Sequence, residues 1–164
     1  METNLGGPAP PPERMLRLRW AGAPAALLSS SGRVTGKVPG WRTQAAAEFA
    51  ELVRNLELAS GIGLRQVVCD AYSVLESATA AYLREGGRFV DRRPRLSELI
   101  GTYEADLQLP HNDSLLLQHM YIPMRHGVSH RRLLPYKNYV EDFVQLCGQC
   151  LERFGVEMPK SEGK

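Results

Sequence analysis

The residues best suited to chemistry lie in one short run, Met124-Arg125-His126-Gly127-Val128-Ser129-His130-Arg131-Arg132. Histidine is the side chain best placed to move a proton near neutral pH. Arginine offers a flat fork that bonds two phosphate oxygens at once. RNA carries its own nucleophile, the 2′-hydroxyl beside each phosphodiester. A base to take that proton and a cation to hold the charge developing on phosphorus suffice for cleavage, and no metal is needed in principle. Arg125 is the candidate clamp, His130 the candidate proton shuttle and His126 a supporting polar group. Arg131, Arg132, Tyr121 and Tyr136 are candidates for holding phosphates or stacking on bases.

The angular positions follow from the helix expected to carry these residues. With Leu117 at zero and about 100° per residue, Met120, Tyr121, Met124 and Val128 fall within roughly 60° of it and define a core face. Arg125 falls at roughly 80°, His126 at about 180° and His130 at about 220°. Both histidines therefore point away from the helix's own core. Pro123 cannot donate its backbone bond and is expected to kink the helix just before Arg125. One arginine and one histidine make a thin site, and a two-fold dimer pairing this helix would double both around one groove.

Other motifs weigh less. Cys147 and Cys150 form a CxxC, but in mid-helix and without a second pair, so they read as small apolar packers. His126 and His130 stand four apart, as in helical zinc sites, with Gly127 where a general-base glutamate is wanted; neither metal nor cofactor is expected. Gly61-Ile62-Gly63 reads as a helix–helix turn, because phosphate-binding glycine loops follow a strand.

The elements that must position the run are helices. Thr43 is a plausible N-cap for a first helix with the stripe Phe49, Leu52, Val53, Leu56. A longer helix carries Leu64, Val67, Val68, Ala71, Leu75, Ala78 and Tyr82 and stops at Gly86-Gly87. Pro94 opens a third, with Leu96, Leu99, Ile100, Tyr103 and Leu107, closed by Pro110. Asn112 or Asp113 caps the fourth, which holds the candidate site. After Pro135 a fifth carries Val140, Phe143, Val144, Cys147, Leu151 and Phe154, with Gly155 as a left-handed terminator. Five amphipathic helices with short connections predict an all-α antiparallel bundle over residues 43–156. Residues 157–164 form a polar tail. Residues 1–42 form a poorly structured basic arm, opening with Gly6, Gly7, Pro8, Pro10, Pro11 and Pro12; Met15 to Trp20 could make a short strand.

The chain has 164 residues, the usual size of one domain, and a net charge of only +2. Its charge is uneven: no acidic residue lies between Arg14 and Ala47, and Arg84, Arg88, Arg92, Arg93 and Arg95 form a second basic cluster. Such clusters suit phosphate binding or a solvated face. Three cysteines are too few for a disulfide scaffold and fit a reducing, cytoplasmic setting. No apolar run approaches the ~20 residues of a membrane span, so no membrane partner is expected. Trp20 to Leu28 is too short, and broken by Pro24, for a signal peptide.

Arg125-x4-His130 near the end of the penultimate helix, with polar His126 straight after the arginine and a long terminal helix beyond, resembles the HEPN superfamily. That family is all-α, with an Arg-x4–6-His signature. The resemblance covers about Thr43 to Phe154. It implies a metal-independent endoribonuclease, active as a homodimer through the fourth helix, with RNA or a nucleotide as ligand. Many members work in toxin–antitoxin or defence systems, which implies an antitoxin-like protein partner; some only bind nucleotides or scaffold other proteins. The chain departs from the family in two places. Arg132 stands where one toxin subgroup has a modifiable tyrosine, and Arg131 stands where glycine commonly follows the histidine. A non-catalytic helical nucleotide-binding or protein-interaction module is the alternative expectation.

Overall fold

The computed structural model describes residues 33–34, 40–130 and 133–158. The possible strand at 15–20, most of the arm, Arg131, Arg132 and the tail from 159 lie outside the described residues. The elements are β1 (Arg33–Val34), α1 (Trp41–Leu58), α2 (Ile62–Glu85), β2 (Val90–Asp91), α3 (Leu96–Thr102), α4 (Glu104–Leu107), α5 (His111–Leu116), a π-helical turn (Leu117–Tyr121), α6 (Ile122–Ser129) and α7 (Lys137–Arg153).

The architecture is an all-α bundle. Four columns, α1, α2, the continuous α5–π–α6 and α7, alternate in direction, and α2 packs on each of the other three. Residues along α2 are buried on every side: Val67, Val68, Ala71, Val74, Leu75, Ala78, Ala80, Ala81 and Leu83. This goes beyond the one stripe that periodicity singles out. A helix enclosed all round needs small or apolar residues on all faces, and α2 has them. On α7, Val140, Phe143, Val144, Cys147 and Leu151 are all buried, as its stripe predicts.

Several boundaries differ from expectation. The first helix opens at Trp41 after Gly40 (φ 71°), not at a Thr43 cap. The reason is tertiary. Trp41 is buried, and its indole N–H donates to Glu85 at 3.2 Å. Arg42 lies over the Trp41 ring, makes two bonds to the same carboxylate at 3.0 and 2.7 Å, and donates from Nε to the Phe154 carbonyl at 2.9 Å. Residues assigned to the arm thus tie the end of α2 to the end of α7. Arg33 and Val34 pair antiparallel with Asp91 and Val90, a two-residue ladder with no periodic signal in the sequence.

The third expected helix is two, α3 and α4, broken at Tyr103. Tyr103 is half-buried and donates its hydroxyl to the Phe89 carbonyl at 2.6 Å. The fourth starts at His111, directly after Pro110, with no side-chain cap from Asn112 or Asp113. Gly155 (φ 85°) ends α7 as expected.

Two acids sit inside the α1–α2 seam, where no stripe placed them. Glu48 and Asp70 are both buried. Gln66 donates to Asp70 at 2.8 Å. Glu48 has only a long bond from Gln44, at 3.5 Å. Burial first, and then the charges of Asp70 and Glu51, push the Glu48 carboxyl up to about 8, against the opposing Gln44 bond. The folded chain therefore holds a proton on Glu48 that the unfolded chain releases at ordinary carboxylate pH. The contribution of Glu48 to stability is fully present below about 4.5 and is lost as pH rises through about 8. Glu48→Gln removes that loss. It should match the native protein near pH 4.5 and exceed it in urea unfolding at pH 9 by on the order of 1–3 kcal/mol. Equal stabilities at pH 9 would show that Glu48 ionises freely in the fold.

Candidate functional site

The candidate residues ride on α6, and the turn before it sets their angles. Proline's ring would strike the carbonyl of the residue four back and leave it without a donor. Ahead of Pro123 the helix widens, and the Ile122 N–H donates to the Leu117 carbonyl five residues back. Pro123 then sits in the first turn of α6. The expected kink is thus a π turn. Slower winding there leaves Met120 further short of the Leu117 direction than an α-helix would. Met120 is exposed rather than on the core face, whereas Leu117 and Tyr121 are buried.

Arg125 turns toward α2. Its guanidinium carbon lies 4.5 Å from the centre of the Tyr72 ring. Its Nε is buried without a hydrogen-bond partner. Among the described residues, Arg42, Arg65, Arg84 and Arg125 are the arginines at least half withdrawn from solvent. The first three each donate a hydrogen bond, to Glu85, to the Leu133 carbonyl and to the Asp91 carbonyl. Arg125 makes none, and its terminal nitrogens are not buried. It is a cation resting on a π face with no acceptor at its fork.

The surroundings were not foreseen from sequence, because they come from the opposite helix. Burial foremost, followed by the charge of Glu76, raises the Tyr72 phenol; Arg125 opposes the shift. Glu76 Oε2 in turn accepts the Leu96 N–H at 3.1 Å. Cys69 is half-buried, its thiol raised by burial and lowered in part by Arg125. Tyr72 lies one residue beyond the predicted stripe of α2, and its only sequence signal is an aromatic in a helix rich in alanine.

The histidines face solvent, as their helical angles predict. His126 and His130 are exposed, with ring centroids 4.4 Å apart and planes at 71°. The His130 N–H and the Ser129 hydroxyl both donate to the His126 carbonyl, at 3.3 and 3.0 Å, where α6 ends. The chain then folds back so closely that a Cβ on Gly127 would stand 3.4 Å from the Leu133 Cβ. The structure therefore pairs His126 with His130 but sends Arg125 to a different side of α6. No hydrogen bond joins Arg125 to either histidine within one chain.

Of the base-stacking candidates, Tyr121 is misplaced. It is buried and stacked on Phe143 at 4.9 Å, so its ring is not available to a base. Tyr136 is 74% exposed at the start of α7, near Tyr139, and is available. Arg131 and Arg132 lie outside the described residues. A small open cavity of about 150 Å³ beside β2 is lined by Phe89, Asp91, Pro94, Glu98 and Tyr103 among others, and by none of the candidate residues.

Among the described residues no group of three or more His, Cys, Asp or Glu is placed to hold a metal ion, and no helix is long and apolar enough to cross a membrane. Cys147 and Cys150 are buried in α7, and the Cys147 thiol approaches the Ala71 carbonyl at 3.9 Å. Burial pushes Cys147 well above the ordinary thiol range and Cys150 up to about 12. A thiol reacts as its thiolate and must be reached. Maleimide at pH 7.5 should therefore label Cys69 first and reach Cys147 and Cys150 only on unfolding, as read by peptide mass spectrometry. Labelling of Cys147 in the native protein at the Cys69 rate would contradict this burial.

Comparison with known proteins finds no matching family model, no matching curated protein and no matching solved structure.

Proposed function

We propose that the chain is a metal-independent endoribonuclease of the HEPN kind, with Arg125 holding the scissile phosphate. His130 takes the 2′-hydroxyl proton and His126 supports it. The 2′-oxygen forms a bond to phosphorus as the bond to the 5′-oxygen breaks, leaving a cyclic phosphate and a 5′-hydroxyl. The leaving oxygen takes its proton from an imidazolium. Two copies meeting along α5–π–α6 would supply base and acid from different chains. Tyr136, Arg131 and Arg132 are assigned to gripping the strand. Work as a toxin or defence nuclease, masked by an antitoxin-like protein, belongs to this proposal.

The observation that supports it best is the state of Arg125. A half-buried guanidinium without a carboxylate is electrostatically undersupplied, and its fork fits two phosphate oxygens. Exposed imidazoles one and five residues further on add the proton chemistry.

A second reading has its own support. Leu115, Leu116 and Met120 are exposed along the same column. These leucines and the methionine favour a non-catalytic module that docks a protein partner or nucleotide there.

Purified protein incubated with total RNA in EDTA distinguishes the two. Cleavage to cyclic phosphate ends is expected, falling by about 100-fold or more in Arg125→Ala and in His130→Ala with melting temperatures unchanged. Full activity in either variant would overturn its assignment. No cleavage by the native protein would favour the module.

A further inference from the structure

We propose that Tyr72 is the positioning residue for Arg125: a shelf that holds the guanidinium so that its fork faces incoming phosphate. The proposal rests on reading Arg125 as the phosphate-binding group.

An arginine on a helix surface samples many rotamers, and a bidentate phosphate bond must freeze them. Here the freezing is built in. The guanidinium carbon lies 4.5 Å over the ring centre, and Nε is shut away from water. The terminal nitrogens are not wholly buried and make no hydrogen bond. A carboxylate in place of the ring would also hold the arginine, but it would occupy the fork and cancel its charge. An aromatic face holds the cation while leaving both donors free.

The carboxylate one turn along α2 is occupied elsewhere. Glu76 accepts the Leu96 N–H at the start of α3, at 3.1 Å, and its charge helps to raise the Tyr72 phenol. Tyr72 stays a neutral phenol, so Arg125 meets a π face and not a phenolate that would neutralise it.

The test uses the full chain and two readouts. The first is the Arg125 Nε–H signal in ¹H–¹⁵N spectra, assigned by its loss in Arg125→Ala. The second is RNA cleavage in EDTA. In the native protein the Nε–H should exchange slowly with water and carry a ring-current shift. Tyr72→Phe keeps the ring and should keep both the signal and kcat within about threefold. Tyr72→Leu keeps the apolar bulk without the π face. It should return the signal to that of an exposed arginine and lower kcat about tenfold or more, with KM changing less.

An unprotected Nε–H in the native protein, or a signal unchanged in Tyr72→Leu, would overturn the shelf. Cleavage that proceeds equally well in Tyr72→Leu would do the same while leaving the ribonuclease reading intact. Where the native protein cleaves nothing, an all-2′-deoxy oligonucleotide titrated onto the Arg125 signal decides. A shift present in the native protein and lost in Tyr72→Leu supports the shelf as a binding device alone. No shift in the native protein removes the phosphate role of Arg125 and the shelf's purpose with it.

Discussion

The enclosure of α2 is the constraint on which the rest depends. Twenty-four residues long, it touches α1, α3, α6 and α7, and Val68, Ala71, Ala78 and Ala80 are almost wholly withdrawn from water. Any polar group on such a column must find its partner inside the protein. Thr79 returns its hydroxyl to the Leu75 carbonyl at 2.6 Å, Asp70 takes a bond from Gln66, and Arg84 reaches the Asp91 carbonyl at 2.7 Å. Glu76 accepts the Leu96 N–H and holds the start of α3. Arg84 Nε, like Arg125 Nε, is buried without a partner, but Arg84 still donates one bond and Arg125 makes none. Arg125 reaches α2 from α6 and finds a ring rather than an acceptor.

The same enclosure explains what was legible in the sequence. Amphipathic helices at the rim declare themselves through period: Phe49, Leu52 and Leu56 on α1, and Val140 to Leu151 on α7, are buried where the stripe places them. A central helix has no polar face for the period to contrast with, so Ser73, Val74, Ala80 and Leu83 were invisible as core while being buried. Glu48 was invisible for the opposite reason. A glutamate in mid-helix reads as solvated, and only the packing of α1 on α2 withdraws it. Trp41 and Arg42 fell outside the predicted helix because what recruits them, Glu85 and the Phe154 carbonyl, lies 43 or more residues away in the chain.

The candidate site was legible as far as one helix can be. A uniform 100° per residue put His126 and His130 outward and Arg125 at the margin of the core face, and their exposures follow that order. It failed at Met120, because a π turn breaks the uniform advance, and proline at 123 signals a disturbance without saying which kind. Tyr121 was offered both as core and as base-stacker, and its place against Phe143 decides for the core. Tyr72 could not be paired with Arg125 at all, since 53 positions separate them and no local rule links α2 to α6.

The geometry of α6 also bears on how chemistry would be arranged. Cleavage of a phosphodiester by its own 2′-hydroxyl is in-line: the attacking and leaving oxygens sit on opposite sides of phosphorus, with the charge to be clamped in the plane between. Arg125 lies against α2 while the paired imidazoles look outward, and α6 ends at Ser129 with the chain folding back over Gly127. Under the proposed ribonuclease reading, one copy would offer Arg125 and the imidazoles from different sides of α6. A second copy related by a two-fold axis along the same column would add an imidazole from the far side, and the exposed Leu115, Leu116 and Met120 give that column apolar surface to bury. On that reading, a second copy is what would bring an imidazole to the side of the phosphate that the Arg125–His130 separation leaves empty within one chain.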